Sequence, residues 1–209
     1  MIPPSPFVVE WAAALAPELR APRRLLDVAM GRGRHALACA GLGYRVFGVD
    51  VNIDAVRAAA AEAERRGLSI RAWCADLIAA PLPVGRFEAV VVTRYLQRDL
   101  FGPIRHAVTP GGIVLYETFT SNQRAHGTGP TSADHLLEPG ELRDRFDAFD
   151  ILFYEEVRGP EAVARIAARR PLAPSTYAGS AVRLKSDATY ERAQRGRSGW
   201  FPLSSTRRW

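Results

Sequence analysis

Apolar residues are distributed along the chain in a repeating order of short continuous runs and longer amphipathic stretches. The runs are typical of strands buried on both faces, and four of them span residues 24–28, 45–49, 87–92 and 113–117. Helical patterns between them cover residues 34–42, 54–66 and 98–108. Strands that alternate with helices predict an α/β fold with a doubly wound, mostly parallel sheet.

The remaining elements complete this prediction. Ser5-Pro6 resembles a helix cap followed by a first-turn proline, which predicts a lead-in helix ending near Pro17. A third strand is expected at residues 69–74 and a further helix at residues 139–146.

The last two predicted strands, residues 149–157 and 162–168, are separated by only four residues. This gap is too short for a helical crossover, so the two strands should pair antiparallel as a hairpin. The predicted sheet therefore has seven strands, the last of which is reversed.

Length and composition favour one globular domain. The chain has 209 residues, of which 47% are hydrophobic, and we expect one domain over residues 1–170. No apolar run approaches the roughly 20 residues that span a bilayer, and the first six residues lack the features of a signal peptide, so a cytoplasmic protein without a membrane partner is expected.

Cys39 and Cys74 are isolated and are expected to be buried structural thiols. The four histidines lack the spacing of a zinc site, so no metal is expected.

Positive charge is concentrated in residues 171–209. The chain carries a net charge of +6, and this segment holds seven basic residues against two acidic ones. Basic residues interleaved with Tyr and Trp can bind single-stranded nucleic acid, but the absence of a periodic pattern favours a flexible extension. The segment is therefore interpreted as a basic, flexible tail that could recruit nucleic acid.

Candidate chemistry begins at the turn formed by residues 29–33, between a predicted strand and a helix. Glycines there permit close approach of the backbone, and free N–H groups at a helix start attract a carboxylate or an anion. Asp50 ends the next strand, where a carboxylate can accept hydrogen bonds from both hydroxyls of a ribose. Asp50 could instead only cap the following helix, and Asp27 could only anchor the turn.

Gly31-x-Gly33-x-x-Ala36 also fits the fingerprint of NAD-binding proteins. Asp27, however, ends the first strand just before the turn, where it would repel a pyrophosphate. Asp76 after the third strand could bind an adenine amino group, with Leu77 beside the ring. These residues favour an adenosyl cofactor with an amino-acid end.

The motif Asp27-Val28-Ala29-Met30-Gly31-Arg32-Gly33 resembles the acidic-x-Gly-x-Gly-x-Gly motif of class I S-adenosylmethionine-dependent methyltransferases. Asp50 and Ala75-Asp76-Leu77 resemble the second and third cofactor motifs of that class. The resemblance covers about residues 5–170. Segments 31–35, 92–96 and 112–119 are also similar to the small bacterial tellurite-resistance-type methyltransferases.

The resemblance implies S-adenosyl-L-methionine as cofactor and assigns ten residues to its site. The implied contacts are Asp27, Ala29, Gly31 and Arg34 at the methionine end, Asp50 and Val51 at the ribose, Asp76 and Leu77 at the adenine, and Thr93 and Arg94 near the methyl group. Ala29 departs from the motif, because the commonest form has glycine there. Its methyl group could crowd the methionine end.

Methyl transfer from a sulfonium can proceed by positioning and desolvation alone, so no obligatory base is implied. If a base acts, Tyr95, Tyr116 and His126 are candidates, since they follow strand ends or lie in the long loop of residues 118–137. Arg94 and Arg124 could orient an anionic substrate, and His35 is expected to be structural.

A methyltransferase acting on a small molecule or a metalloid oxyanion is the leading hypothesis. An RNA or protein methyltransferase that uses the tail, and an NAD-binding Rossmann oxidoreductase or a non-catalytic nucleotide-binding regulator, are the alternatives. The sequence does not determine an oligomeric state.

Overall fold

A computed structural model describes residues 2–172 of the chain. The expected tail, residues 171–209, therefore lies outside the described residues from position 173 onward. The described helices are α1 (Pro6–Leu15), α2 (Arg34–Gly41), α3 (Ile53–Arg65), α4 (Phe101–Ala107) and α5 (Glu141–Asp144). The strands are β1 (Arg24–Val28), β2 (Arg45–Asp50), β3 (Ile70–Cys74), β4 (Phe87–Thr93), β5 (Val108–Phe119), β6 (Asp150–Val157) and β7 (Val163–Arg169).

The seven strands form one sheet in the order β3-β2-β1-β4-β5-β7-β6. Strands β1 to β5 pair in parallel, and β7 runs antiparallel to both β5 and β6. The predicted doubly wound fold, with a closing hairpin and a reversed last strand, is confirmed. Because β1 to β4 are parallel, their carboxyl ends meet at one edge of the sheet.

Both faces of the sheet are covered by apolar packing, as the continuous runs predicted. In β4, Ala89 and Val91 face one core layer with α1 and α2, whereas Val90 and Val92 face the other layer with α4. All four side chains have 0% exposure. This two-sided burial explains why β4 has an apolar run instead of a strict alternation.

Two of three local expectations are corrected. Ser5 precedes α1, but its side chain makes no capping hydrogen bond and donates instead to Glu117 Oε2 at 3.1 Å. Cys39 is buried as expected, and burial raises the pKa of its thiol to about 12. Cys74 is exposed, because β3 is an edge strand with a helix on only part of its surface.

Within residues 2–172, none of the helices combines the length and the apolar composition needed to cross a bilayer.

Candidate functional site

A cavity of about 370 Å³ opens at the carboxyl edge of the sheet. Its lining residues follow the ends of the first four strands: Ala29, Asp50, Val51, Ala75, Asp76, Leu77, Arg94 and Tyr95. The volume falls in the range of ordinary small-molecule sites. Six of the ten residues expected around the cofactor therefore lie together, and Ala75 and Tyr95 join them.

Asp50 is held in place at the tip of β2. Its Oδ2 accepts a hydrogen bond from the Gly31 N–H at 2.7 Å, and its Oδ1 accepts one from the Asn52 N–H at 2.8 Å. Since a carboxylate has about four acceptor positions, two remain for hydroxyl groups of a ligand in the cavity. Asp50 does not cap α3, because Asn52 does so: the Asn52 side chain accepts hydrogen bonds from the N–H groups of Asp54 and Ala55.

The turn between β1 and α2 has three residues in the left-handed region. Ala29, Gly31 and Gly33 have φ values of 53°, 54° and 77°. A side chain at Gly33 would place its Cβ only 2.9 Å from the Cβ of Ala59, so the close approach of α3 requires glycine there. Ala29, the departure from the commonest motif, adopts the same left-handed backbone and still lines the cavity.

Asp27 lies beneath the turn and is 1% exposed. Its Oδ2 accepts from the Ala36 N–H at 2.9 Å, which anchors α2, but its Oδ1 is buried without a hydrogen-bond partner. Burial raises the pKa of Asp27 to about 7. An unpartnered buried oxygen next to a glycine turn fits a ligand that carries an ammonium group, with or without a bridging water.

Asp76, Leu77 and Tyr95 also line the cavity. Asp76 Oδ1 accepts from the Ile78 N–H at 2.9 Å, and Leu77 is buried. Burial, with the negative charges of Asp76 and Asp50 nearby, raises the pKa of Tyr95. The Tyr95 hydroxyl therefore remains protonated at neutral pH.

Four of the ten expected residues, Asp27, Gly31, Arg34 and Thr93, do not line the cavity. Arg34 Nη1 donates to the carbonyl of Pro3 at 3.3 Å. Thr93 Oγ1 lies 3.0 Å from Nδ1 of His35, whose Nε2 accepts from the Ser5 N–H at 3.0 Å. Burial lowers the pKa of His35 to about 3, so the ring is neutral, and Nδ1 must carry its proton and donate to Thr93. Both ring nitrogens of His35 therefore make hydrogen bonds within the protein, which fits the structural role expected for this residue.

Arg94 follows β4 at the cavity mouth with a positive φ of 51°. Its Nη2 pairs with Glu161 Oε2 at 2.6 Å, and its guanidinium lies 5.5 Å from the centre of the Phe119 ring. The charge of Arg94 is therefore already balanced by a carboxylate from the loop between β6 and β7.

A second cavity of about 320 Å³ shares Arg94 and Tyr95 with the first. Its other lining residues are Leu96, Gln97, Phe119, Pro130 and His135. Sequence reasoning missed these five residues and Glu161. Two of the missed residues, Pro130 and His135, lie in the long loop after β5, and the length of that loop could have indicated a functional role for it.

The other expected catalytic and orienting residues lie elsewhere. Tyr116 is 1% exposed, and its hydroxyl donates to the carbonyl of Tyr95 at 2.9 Å, so it supports the cavity wall and does not face the cavity. His126 is exposed and lines neither cavity. Arg124 Nε donates to the carbonyl of Thr131 at 3.1 Å, within its own loop. Only Tyr95 of the three candidate bases reaches a cavity.

No three His, Cys, Asp or Glu side chains come together as a possible metal site in the described part of the chain.

Comparison with known proteins agrees with this geometry. Residues 25–112 match the family model described as a methyltransferase domain. The ribosomal protein L11 methyltransferase of Thermus thermophilus is 38% identical over 49% of this chain and 41% of its own length. The demethylmenaquinone methyltransferase of the same species is 34% identical over 48% of this chain and 49% of its own length. The chain thus spans about half the length of the curated relatives it matches.

Among solved structures, TehB from Haemophilus influenzae has a TM-score of 0.62 and 21% sequence identity, over 76% of this chain and 61% of the TehB chain. At that identity the likeness shows the shared fold alone. The chain shares its fold with TehB, and residues 25–112 carry the match to a methyltransferase domain. S-adenosylmethionine is the cofactor that the residues of the site fit.

Proposed function

We propose that the protein transfers a methyl group from S-adenosylmethionine to a small-molecule acceptor. The observation that carries the proposal is the pair of adjoining cavities at the carboxyl edge of the sheet, which share Arg94 and Tyr95. One cavity has the residues that suit an adenosyl group, and the other leaves room for an acceptor. When bound, S-adenosylmethionine supplies an electrophilic methyl group on a sulfonium whose leaving group is already good.

The residues of this chain bind and orient the two reactants. Asp50 has acceptor positions free for the ribose, Asp76 and Leu77 suit the adenine, and Asp27 suits the amino group. Tyr95 lines both cavities, so its ring lies where the two adjoin. Exclusion of water and fixed orientation are the main requirements of this displacement.

A small acceptor is supported by the size of the second cavity, about 320 Å³. The name of one relative, demethylmenaquinone methyltransferase, also gives a small molecule as the acceptor. Another relative is named for ribosomal protein L11, and an RNA or protein acceptor recruited by residues 171–209 stays a prediction. Deletion of that segment should abolish RNA binding if the prediction is correct.

A cytoplasmic location of the protein also stays a prediction.

Isothermal titration calorimetry with three ligands tests the proposal. S-adenosylmethionine and S-adenosylhomocysteine should bind with one-to-one stoichiometry, and NAD should not bind. Binding of NAD alone would overturn the proposed function in favour of the oxidoreductase or regulator alternatives.

A further inference from the structure

The second cavity has a largely apolar wall with few polar groups. Tyr95, Leu96, Phe119 and Pro130 supply two aromatic rings and two aliphatic surfaces. Leu96 and Phe119 are fixed in the packed core, at 4% and 8% exposure. Such a pocket favours a flat, apolar molecule, because aromatic and apolar walls provide binding energy and a few polar groups set the orientation.

Charge at the cavity argues against an anionic acceptor. Arg94 is a cation in the wall, but it already pairs with Glu161 at 2.6 Å and stacks on Phe119. An oxyanion that approached Arg94 would also approach the Glu161 carboxylate or have to displace it. Because Glu161 already neutralises Arg94, this pair presents no net positive charge to an anion, and an uncharged acceptor is favoured over a metalloid oxyanion.

Hydrogen bonds to backbone carbonyls before and after His135 in the chain hold this residue at the cavity. Arg98 donates to the carbonyl of Ala133 at 3.3 Å and to that of Leu136 at 2.9 Å. Arg98 itself is fixed by two hydrogen bonds to the carboxylate of Glu141, each 2.8 Å long. Arg98 and Glu141 therefore hold the short helical turn that carries His135 in place.

We propose that this cavity binds a small aromatic molecule with a weakly acidic hydroxyl group and that His135 accepts the hydroxyl proton. The inference rests on the proposed function and adds the class of acceptor and a catalytic residue. Gln97 can hydrogen-bond the hydroxyl or a neighbouring polar group, since its amide both donates and accepts.

The balanced step is an O-methylation. The hydroxyl oxygen forms a bond to the methyl carbon, and the bond from that carbon to sulfur breaks with its electron pair going to sulfur. The proton of the hydroxyl passes to an imidazole nitrogen of His135. The products are an aryl methyl ether and S-adenosylhomocysteine.

Calorimetry on the full-length protein tests the class of acceptor, with catechol and tellurite as probes. The protein is first saturated with S-adenosylhomocysteine, and failure at this stage would count against the proposed function itself. With that ligand bound, catechol should bind and tellurite should not. Binding of tellurite, or of neither probe, overturns the inferred acceptor class while leaving the cofactor site intact.

His126 provides a matched control for His135, because both histidines are exposed and lie in the loop after β5, but only His135 lines a cavity. Diethyl pyrocarbonate modifies accessible imidazoles, and peptide mass spectrometry locates each modification. Catechol should protect His135 and leave His126 reactive in the protein loaded with S-adenosylhomocysteine. Equal protection of the two, or of neither, overturns the location of the site.

The role of His135 as a base is tested by kinetics with catechol and S-adenosylmethionine. H135Q should lower kcat by about 100-fold, at the lower end of what a general base contributes, with KM changed by less than about twofold. The kcat of the wild type should rise with pH, this rise should be lost in H135Q, and H126Q should behave as wild type. A rate and pH profile for H135Q equal to those of H126Q overturns the assignment.

Discussion

The carboxylate of Asp50 accepts a hydrogen bond from the backbone N–H of Gly31, with 2.7 Å between Oδ2 and N. The bond joins the tip of β2 to the turn that follows β1, so one side chain links two parts of the cofactor site. Asp50 also lines the 370 Å³ cavity, where its free acceptor positions face the space for a ligand. Loss of this carboxylate should affect both the shape of the turn and direct contact with a ribose.

We expect D50A to weaken the binding of S-adenosylhomocysteine by about 1–3 kcal/mol, the usual cost of leaving hydrogen-bonding groups without partners. This range corresponds to a change in Kd of about 5-fold to 150-fold. Titration calorimetry at constant pH measures it.

D54A is the matched control, because Asp54 lies four positions further along the chain with 86% of its side chain exposed. Its Kd should equal that of the wild type. An unchanged Kd in D50A would show that the ribose lies elsewhere.

Elements built from local signals could be predicted from the sequence. The apolar run of β4, the turn ending at Gly33 and the short gap between β6 and β7 each specify their structure within a short segment. Six of the residues predicted to contact the cofactor line one cavity, because parallel strands bring their carboxyl ends to one edge of the sheet.

Contacts between distant segments could not be predicted. The hydroxyl of Ser5 bonds to Glu117, which is 112 residues away, so no local pattern distinguishes this bond from a helix cap. His126 and His135 share one loop, and His135 lies at a cavity in a turn that Arg98, from a distant segment, holds by two hydrogen bonds. Sequence spacing alone carries no information on that choice.

Gly33 should be intolerant of a side chain. G33A places a methyl group 2.9 Å from the Cβ of Ala59 in a backbone conformation with φ of 77°. The left-handed conformation costs about 1–2 kcal/mol and overpacking costs about 1–3 kcal/mol. Urea denaturation should therefore show a loss of several kcal/mol in the free energy of unfolding.

G41A serves as the comparison for G33A. Gly41 ends α2, and a Cβ there would meet no heavy atom within 4 Å. This variant should be as stable as the wild type or slightly more stable, since alanine is the better helix former. Equal stability of G33A and G41A would contradict the close packing of α3 on the turn.

His35 should make the folded protein sensitive to acid. Burial lowers the pKa of His35 to about 3, whereas a histidine in an unfolded chain has a pKa of about 6.5. Between these values the unfolded chain binds a proton that the folded chain does not, so stability is lost as the pH falls below about 6.5.

Urea denaturation of H35Q measures this contribution. The wild type should lose up to about 1.4 kcal/mol per pH unit in this window through His35, and H35Q should lack that part of the loss. H126Q, changed at an exposed histidine, should follow the wild type. If H35Q and the wild type lose equal stability between pH 6.5 and 5, the buried neutral histidine is not the cause.

Asp27 should make cofactor binding depend on pH near neutrality. Burial raises the pKa of Asp27 to about 7, above the value near 3.9 of an unfolded chain. Between these values the folded protein holds a proton that the unfolded chain has lost, so this group lowers the stability of the ligand-free protein as the pH rises through the window. An ammonium group brought to the unpartnered Oδ1 would favour the ionised carboxylate and expel that proton.

Binding of S-adenosylhomocysteine should therefore release a proton at pH 6 and tighten as the pH rises through about 7. Calorimetry in two buffers with different ionisation enthalpies measures the released proton directly. D27N preserves an oxygen for the N–H of Ala36 but cannot ionise, so it should bind more weakly at pH 8 and release no proton through this residue. The two proteins differ only at residue 27. Proton release of equal size in D27N and the wild type would therefore show that the amino group of the ligand lies away from Asp27.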